Sequence, residues 1–164
     1  MSDGGSSQMT FRRILVAVDG SPTADHALHV GLELVRCLRA EVGVVHVVDV
    51  GRAGDPERGL LAAELLEDRR REGAALLDEV LSRTDLVSPV ESFLREGRPP
   101  EEILAAARDW NADLIVVGSR GRSGLVRVVM GSVAETVVRH APVPVLVVRR
   151  PKDADSAVAG DRPR

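Results

Sequence analysis

The sequence is poor in aromatic residues: no tyrosine, two phenylalanines and one tryptophan among 164 residues. Its core must therefore be aliphatic. The same scarcity argues against a platform for single-stranded nucleic acid, which stacks bases on aromatic faces. A basic excess is also missing. Twenty-two Lys and Arg stand against 25 Asp and Glu, a formal net charge of -3. A nucleic-acid footprint wants the opposite balance, so no nucleic-acid partner is expected. A single cysteine, Cys37, excludes an intrachain disulfide and fits a reducing compartment. No apolar run approaches the ~18 residues of a membrane span. Residues 1–10 (MSDGGSSQMT) have neither the basic nor the apolar region of a secretory signal. The expected location is cytoplasmic, away from any membrane.

What is present is an ordinary globular balance, 44% hydrophobic and 29% charged. The length fits one domain, large enough to bury a core without metals or disulfides. We place that domain at residues 11–150, between a flexible polar N-terminus (1–10) and a disordered tail (151–164, PKDADSAVAGDRPR). Arg12 to Val18 (RRILVAV) is a short β-branched run, and it ends at Asp19-Gly20-Ser21-Pro22. Ser21 suits a helix N-cap and Pro22 the first helical position. Ala27, Leu28, Leu32, Leu34, Val35 and Leu38 then recur at helical spacing up to about Arg39. Glu41 to Val48 reads as a second strand and residues 50–58 as a loop. Gly59 to about Arg83 reads as the longest helix, with Gly73 as an interruption. Val90 to Arg95 is a short strand, Gly97 to Pro100 a turn, and Pro100 or Glu101 to about Trp110 a helix. Leu114 to Val117, Ser132 to His140 and Val143 to Val148 complete the pattern as strand, helix and strand.

Apolar strands alternating with helices predict a mainly parallel sheet buried on both faces. In such sheets ligands sit beyond the carboxyl ends of the strands, where the strand order reverses. The most informative loop there runs from Gly118 to Ser132. Its glycines permit positive φ and close approach of a ligand, and successive N–H groups in such turns form anion-binding concavities. Gly131-Ser132 then opens a helix, whose unpaired N–H groups and dipole favour phosphate. A Walker loop is excluded, because no Gly-Lys-Ser/Thr triplet exists. Gly118-x2-Gly121-x2-Gly124 is not the dinucleotide spacing. A response regulator would add an acidic pair before Asp19 and a late lysine; Arg12-Arg13 and Val143 to Val148 supply neither.

Gly118-x2-Gly121-x9-Gly131-Ser132 resembles the ATP-binding signature of the universal stress protein family. Arg13 to Ser21 (RILVAVDGS) resembles that family's opening strand, and His46 to Asp49 (HVVD) the end of its second. Gly97 to Leu104 (GRPPEEIL), Ala112 to Gly118 (ADLIVVG) and Pro142 to Val148 (PVPVLVV) extend the resemblance, in order, over about Phe11 to Arg149. It implies an α/β, Rossmann-like fold of the adenine nucleotide alpha hydrolase-like kind. This is an open five-stranded parallel sheet of order 3-2-1-4-5 with helices on both faces. It also implies ATP as cofactor, with Mg2+ as a companion ion. By likeness Asp19 would hold the ribose or adenosine side, and Ala17 and Val47 would line the adenine pocket. Gly118, Ser119, Gly121, Gly131, Ser132 and Val133 would surround ribose and phosphates. Arg120, Arg122 and Arg127 lie outside the glycine signature, and we expect them near the phosphates.

Each of these residues also has a plainer reading. Asp19 could initiate a turn, and Ser132 could be an N-cap. His26 and His29 could share a helix face but lack a third ligand, so no metal site is expected. His46 reads as a packed strand residue, His140 as a cation near a helix C-terminus, and Cys37 as unactivated. The run Glu67 to Glu72 (EDRRRE) reads as a solvated helix side. Val143 to Val148, if it is the sheet edge, invites pairing with a second copy, and the resemblance also implies a homodimer.

The expected function is a dimeric, nucleotide-dependent stress-response module acting on an unidentified protein partner. No catalytic base or acid pair lies beside the loop in sequence. One alternative is a slow ATPase or self-phosphorylating enzyme, with Asp19 on a metal and Ser119, Ser123 or Ser132 as acceptor. The other is a nucleotide-free dimer scaffold. Valine at Gly118 or Gly131 is expected to abolish ATP retention and leave the fold intact.

Overall fold

Each short β-branched run lies in one sheet, and each amphipathic stretch packs on one of its faces. The structure, a computed structural model, describes residues 11–50, 59–84, 90–121 and 130–150, with the side chains of 59–62 not described. The readings of residues 1–10 and 151–164 lie outside it, as do Arg122, Ser123, Gly124 and Arg127.

The elements follow in the order β1 (Arg13–Val18), α1 (Pro22–Leu38), β2 (Glu41–Asp49), α2 (Gly59–Ser82), β3 (Val90–Gly97), α3 (Pro99–Asp109), β4 (Leu114–Gly118), α4 (Ser132–His140) and β5 (Val145–Val148). The sheet has the expected order β3-β2-β1-β4-β5, and every pairing is parallel. The strand order reverses at β1, which places the switch point between β1 and β4. Alternate residues of the central strands feed two cores. Ile14, Val16, Val42 and Val44 pack under α1 and α2. Leu15, Val45, Ile115 and Val117 pack under α3 and α4, with Trp110 at one end.

Several boundaries differ from the sequence reading for identifiable reasons. β3 runs on to Gly97, because Val48 and Asp49 of β2 still pair with Glu96 and Gly97. As an edge strand it is half-exposed rather than buried on both faces. α3 begins at Pro99, since its missing N–H costs nothing in a first turn. β5 begins only at Val145; Pro144 contributes its carbonyl to Ile115 N–H at 3.1 Å and has no N–H to give. α2 is unbroken at Gly73.

Ser21 is the N-cap of α1, its hydroxyl accepting from Ala24 N–H at 3.2 Å. It is buried, so water cannot replace that bond easily. Ser21→Ala should cost about 0.5–2 kcal/mol. Urea denaturation reads this as a lower midpoint at constant slope, and an unchanged midpoint would deny the cap its role.

Candidate functional site

The turn after β1 puts a carboxylate at the switch point. Gly20 takes φ 76°, a left-handed conformation that costs a glycine little. Asp19 Oδ1 accepts from Ser21 N–H at 2.9 Å, so Asp19 does hold the turn. Its other oxygen faces the loop after β4: a Cβ on Gly121 would stand 2.7 Å from Asp19 Oδ2.

Gly118, at the end of β4, and Gly121 stand in close approach to their neighbours. Among the described residues the glycines at positive φ are Gly20 and Gly97, not Gly118, Gly121 or Gly131. At these three positions the glycine serves something other than positive φ; Gly124 lies outside the described residues. A Cβ on Gly118 would lie 3.1 Å from the Thr23 carbonyl carbon, at the start of α1. At Gly131 a Cβ would make only ordinary contact, 3.4 Å from Ser119 O. The two ends of the loop are joined by main-chain bonds. Ser119 N–H donates to Val148 O and Gly131 N–H to Ser119 O, each at 2.7 Å.

α4 opens with Gly131 as N-cap and no side-chain cap, which corrects the capping reading of Ser132. Ser132 is the first helical residue. The first N–H groups of a helix have no intrahelical acceptor, and the helix dipole adds partial positive charge there. An uncapped N-terminus opening onto a cavity fits an anion, because a capping side chain would fill the same place.

A cavity of about 480 Å³ opens over these strand ends. Ala17, Asp19, Val47, Gly118 and Gly121 line it, as do Gly131, Ser132 and Val133 at the start of α4. Ser119 is not among the lining residues; it is buried, 4% exposed, with both main-chain groups engaged. That burial removes it as a phosphoryl acceptor in this conformation. Arg120 lines the cavity.

The cavity spans both sides of the sheet edge. Ala17, Val47, Ile103, Val117 and Val133 make an apolar wall on the α3/α4 side. His46, Arg69, Glu72 and Gly73 make a polar wall on the α2 side, which the sequence reading did not place at the site. Arg69 and Glu72 belong to the run read as solvated. Arg69 donates to Asp49 O at 3.1 Å. The next residue, Arg70, pairs with Glu67 and with Glu96 of β3, the latter at 2.5 Å. That hydrogen bond holds the Glu96 carboxyl below its ordinary value. The one sequence signal for this wall was Gly73, where a helix lacks a side chain opposite His46.

A second groove, about 430 Å³, contains His26 and His29 beside Asp25, Arg83, Thr84 and Arg150. Arg83 bonds Asp25 at 3.0 Å. No group of three or more metal-ligating side chains occurs among the described residues, and no described helix is long and apolar enough to cross a membrane. Cys37 is exposed. His140 Nδ1 lies 2.9 Å from Thr136 O, in the last turn of α4.

Fold and cavity together define a doubly wound α/β domain whose ligand cleft lies at the strand-order switch. The sequence profile of the Universal stress protein family matches residues 10–149, and the chain belongs to that family. It is 34% identical over 145 residues to Universal stress protein MJ0531 of Methanocaldococcus jannaschii, covering 87% of this chain and 84% of the relative. The fold is similar to Universal stress protein UspA from Lactobacillus plantarum, with TM-score 0.76 and 27% identity over 85% of this chain and 98% of the other. It is also similar to the universal stress protein from Archaeoglobus fulgidus in complex with dAMP. There the TM-score is 0.52 and the identity 26%, over 85% and 98% of the two chains.

Proposed function

We propose that this protein binds ATP in the cavity between β1 and β4, and that it works as a dimeric, nucleotide-dependent module of the stress response. The observation that carries this reading is the convergence of a carboxylate (Asp19), a close-approach glycine (Gly121) and an uncapped helix N-terminus (Gly131-Ser132) on one cavity. The dAMP complex of the Archaeoglobus fulgidus relative supports an adenine nucleotide. The apolar wall of Ala17, Val47 and Val133 would take the base, Asp19 the sugar, and the α4 N-terminus the phosphates. Mg2+ would accompany the phosphates as their counter-ion. Hydrogen bonds to a charged group contribute about 1.5–3 kcal/mol each. Three or four of them, with a buried base and after ordering costs, reach the ~8 kcal/mol of micromolar binding.

Dimerisation is proposed through β5, a four-residue edge strand whose outer side has no neighbour in the sheet among the described residues. A two-fold pairing would satisfy its open main-chain groups.

Mass spectrometry of small molecules released from the purified protein tests the binding reading, followed by calorimetric titration with ATP, ADP and AMP. An adenine nucleotide in the extract, or a roughly micromolar affinity for ATP, is expected. An empty extract together with no heat of binding would leave the dimer scaffold as the reading. Sedimentation equilibrium tests the dimer, with a monomer at all concentrations as the refuting result.

A further inference from the structure

His46 lies on β2 at the register position opposite Val18. Its Nδ1 is 2.8 Å from the Val18 carbonyl oxygen. A carbonyl oxygen carries no proton, so Nδ1 is the donor. In the neutral ring that bond fixes the tautomer and leaves Nε2 as an acceptor only. Nε2 has no hydrogen-bond partner among the described residues. The residue is 8% exposed, and it lines the cavity. The ring is also fixed from the far side: a Cβ on Gly73 would meet His46 Cδ2 at 2.7 Å and Nε2 at 3.2 Å. An acceptor held in orientation at the cavity wall, with no donor among the described residues, is available to a ligand donor.

Resting on the adenine-nucleotide reading above, we infer that His46 Nε2 accepts a hydrogen bond from a hydroxyl of the nucleotide's sugar, so that the site prefers ribose to its deoxy forms. The three parts of a nucleotide separate cleanly here. Ionised phosphates offer only acceptors and cannot satisfy a bare nitrogen. The base belongs to the apolar wall of Ala17 and Val47, whose side chains alternate to the opposite sheet face from His46 and Val18. The sugar remains. Val18, whose carbonyl holds the ring, directly precedes Asp19. Asp19 and His46 both line the cavity, and a carboxylate and an imidazole nitrogen are two acceptors for the two adjacent hydroxyls of a ribose.

Equilibrium titrations with ATP, 2′-deoxy-ATP and 3′-deoxy-ATP test this on the wild-type protein and on His46→Asn. The asparagine amide nitrogen can keep the bond to Val18 but offers nothing where Nε2 stood. The wild type should favour ATP over both deoxy analogues by about twofold or more. His46→Asn should lose the preference against the analogue that lacks the hydroxyl bound by Nε2 and keep the preference that Asp19 supplies against the other. Nitrogen-15 NMR of the wild type, which needs no variant to fold, should show the proton of His46 on Nδ1. Its Nε2 resonance should move with ATP and stay with the deoxy analogue that His46→Asn no longer distinguishes from ATP. Equal binding of all three by the wild type overturns the inference, as do preferences against both analogues that survive unchanged in His46→Asn or an Nε2 resonance indifferent to ATP. Failure of all three nucleotides to bind refutes the adenine-nucleotide reading itself, and this contact with it.

Discussion

Valine at Gly121 should weaken ATP binding about tenfold to a hundredfold and leave the unfolding midpoint nearly unchanged. Any Cβ at this position would stand 2.7 Å from Asp19 Oδ2, closer than two such atoms can come. The carboxylate is the far end of a side chain, so it yields more readily than main chain would, giving up in part its bond to Ser21 N–H. Gly121 itself is exposed, and the valine methyl groups need displace no core. A charge-assisted hydrogen bond from Asp19 to the sugar contributes about 1.5–3 kcal/mol, which sets the expected loss. Gly121→Ala carries the same Cβ and should show most of the same effect. Calorimetric titration with ATP measures the loss, and a thermal melt of the nucleotide-free protein checks the fold. Unchanged affinity in Gly121→Val would remove Asp19 from the binding site.

Much of this fold is legible in the sequence because its strands are short aliphatic runs punctuated by turn chemistry. Arg13 to Val18 and Leu114 to Gly118 differ by a residue or so from the runs that predict them. The order 3-2-1-4-5 is different. Periodicity yields alternation and parallel pairing, whereas the order came with the family resemblance and stands in the pairings of β1 with both β2 and β4. Edges are the least legible feature. Glu91, Ser92, Arg95 and Glu96 mark Val90 to Gly97 as half-exposed, but nothing local says that it has a neighbour on one side only.

The site divides in the same way. Residues on loops with special backbone chemistry, Asp19 and the glycines, stood out in sequence. The α2 wall did not, because Arg69 and Glu72 sit in a charged run that reads as solvent-facing. Only the packing of Gly73 on His46 of the preceding strand, 27 residues away, turns that helix face toward the cavity. Long-range contacts of this kind leave no periodic trace. Ser132 shows the converse limit. Serine before a helix reads as a cap, yet the helix takes Gly131 as its N-cap and leaves its end without a side-chain bond.

Valine at Gly118 should unfold the protein more easily as well as abolish binding, whereas valine at Gly131 should chiefly abolish binding. From the sequence the two glycines are equivalent members of one spaced signature. In the structure a Cβ on Gly118 meets main chain: Thr23 C at 3.1 Å and Ala24 N at 3.2 Å, within the capped first turn of α1. Main chain cannot swing aside as a side-chain end can, so β4 and α1 must part or strain. Overpacking of this kind costs about 1–3 kcal/mol. Gly131 has extended backbone, φ -72°, and its Cβ would make ordinary contacts from 3.4 Å outward. Valine is a poorer N-cap than glycine, a cost of about 1 kcal/mol or less, but its side chain would be added at the cavity lining, against the main chain of Ser119, Arg120 and Gly121, and would narrow the approach to α4. Urea denaturation should therefore separate the variants, with Gly118→Val at the lower midpoint, while calorimetry finds ATP binding lost in both. Equal midpoints would mean that β4 and α1 can separate freely at the switch point. Retained binding in Gly131→Val would mean that the α4 N-terminus is not what holds the phosphates.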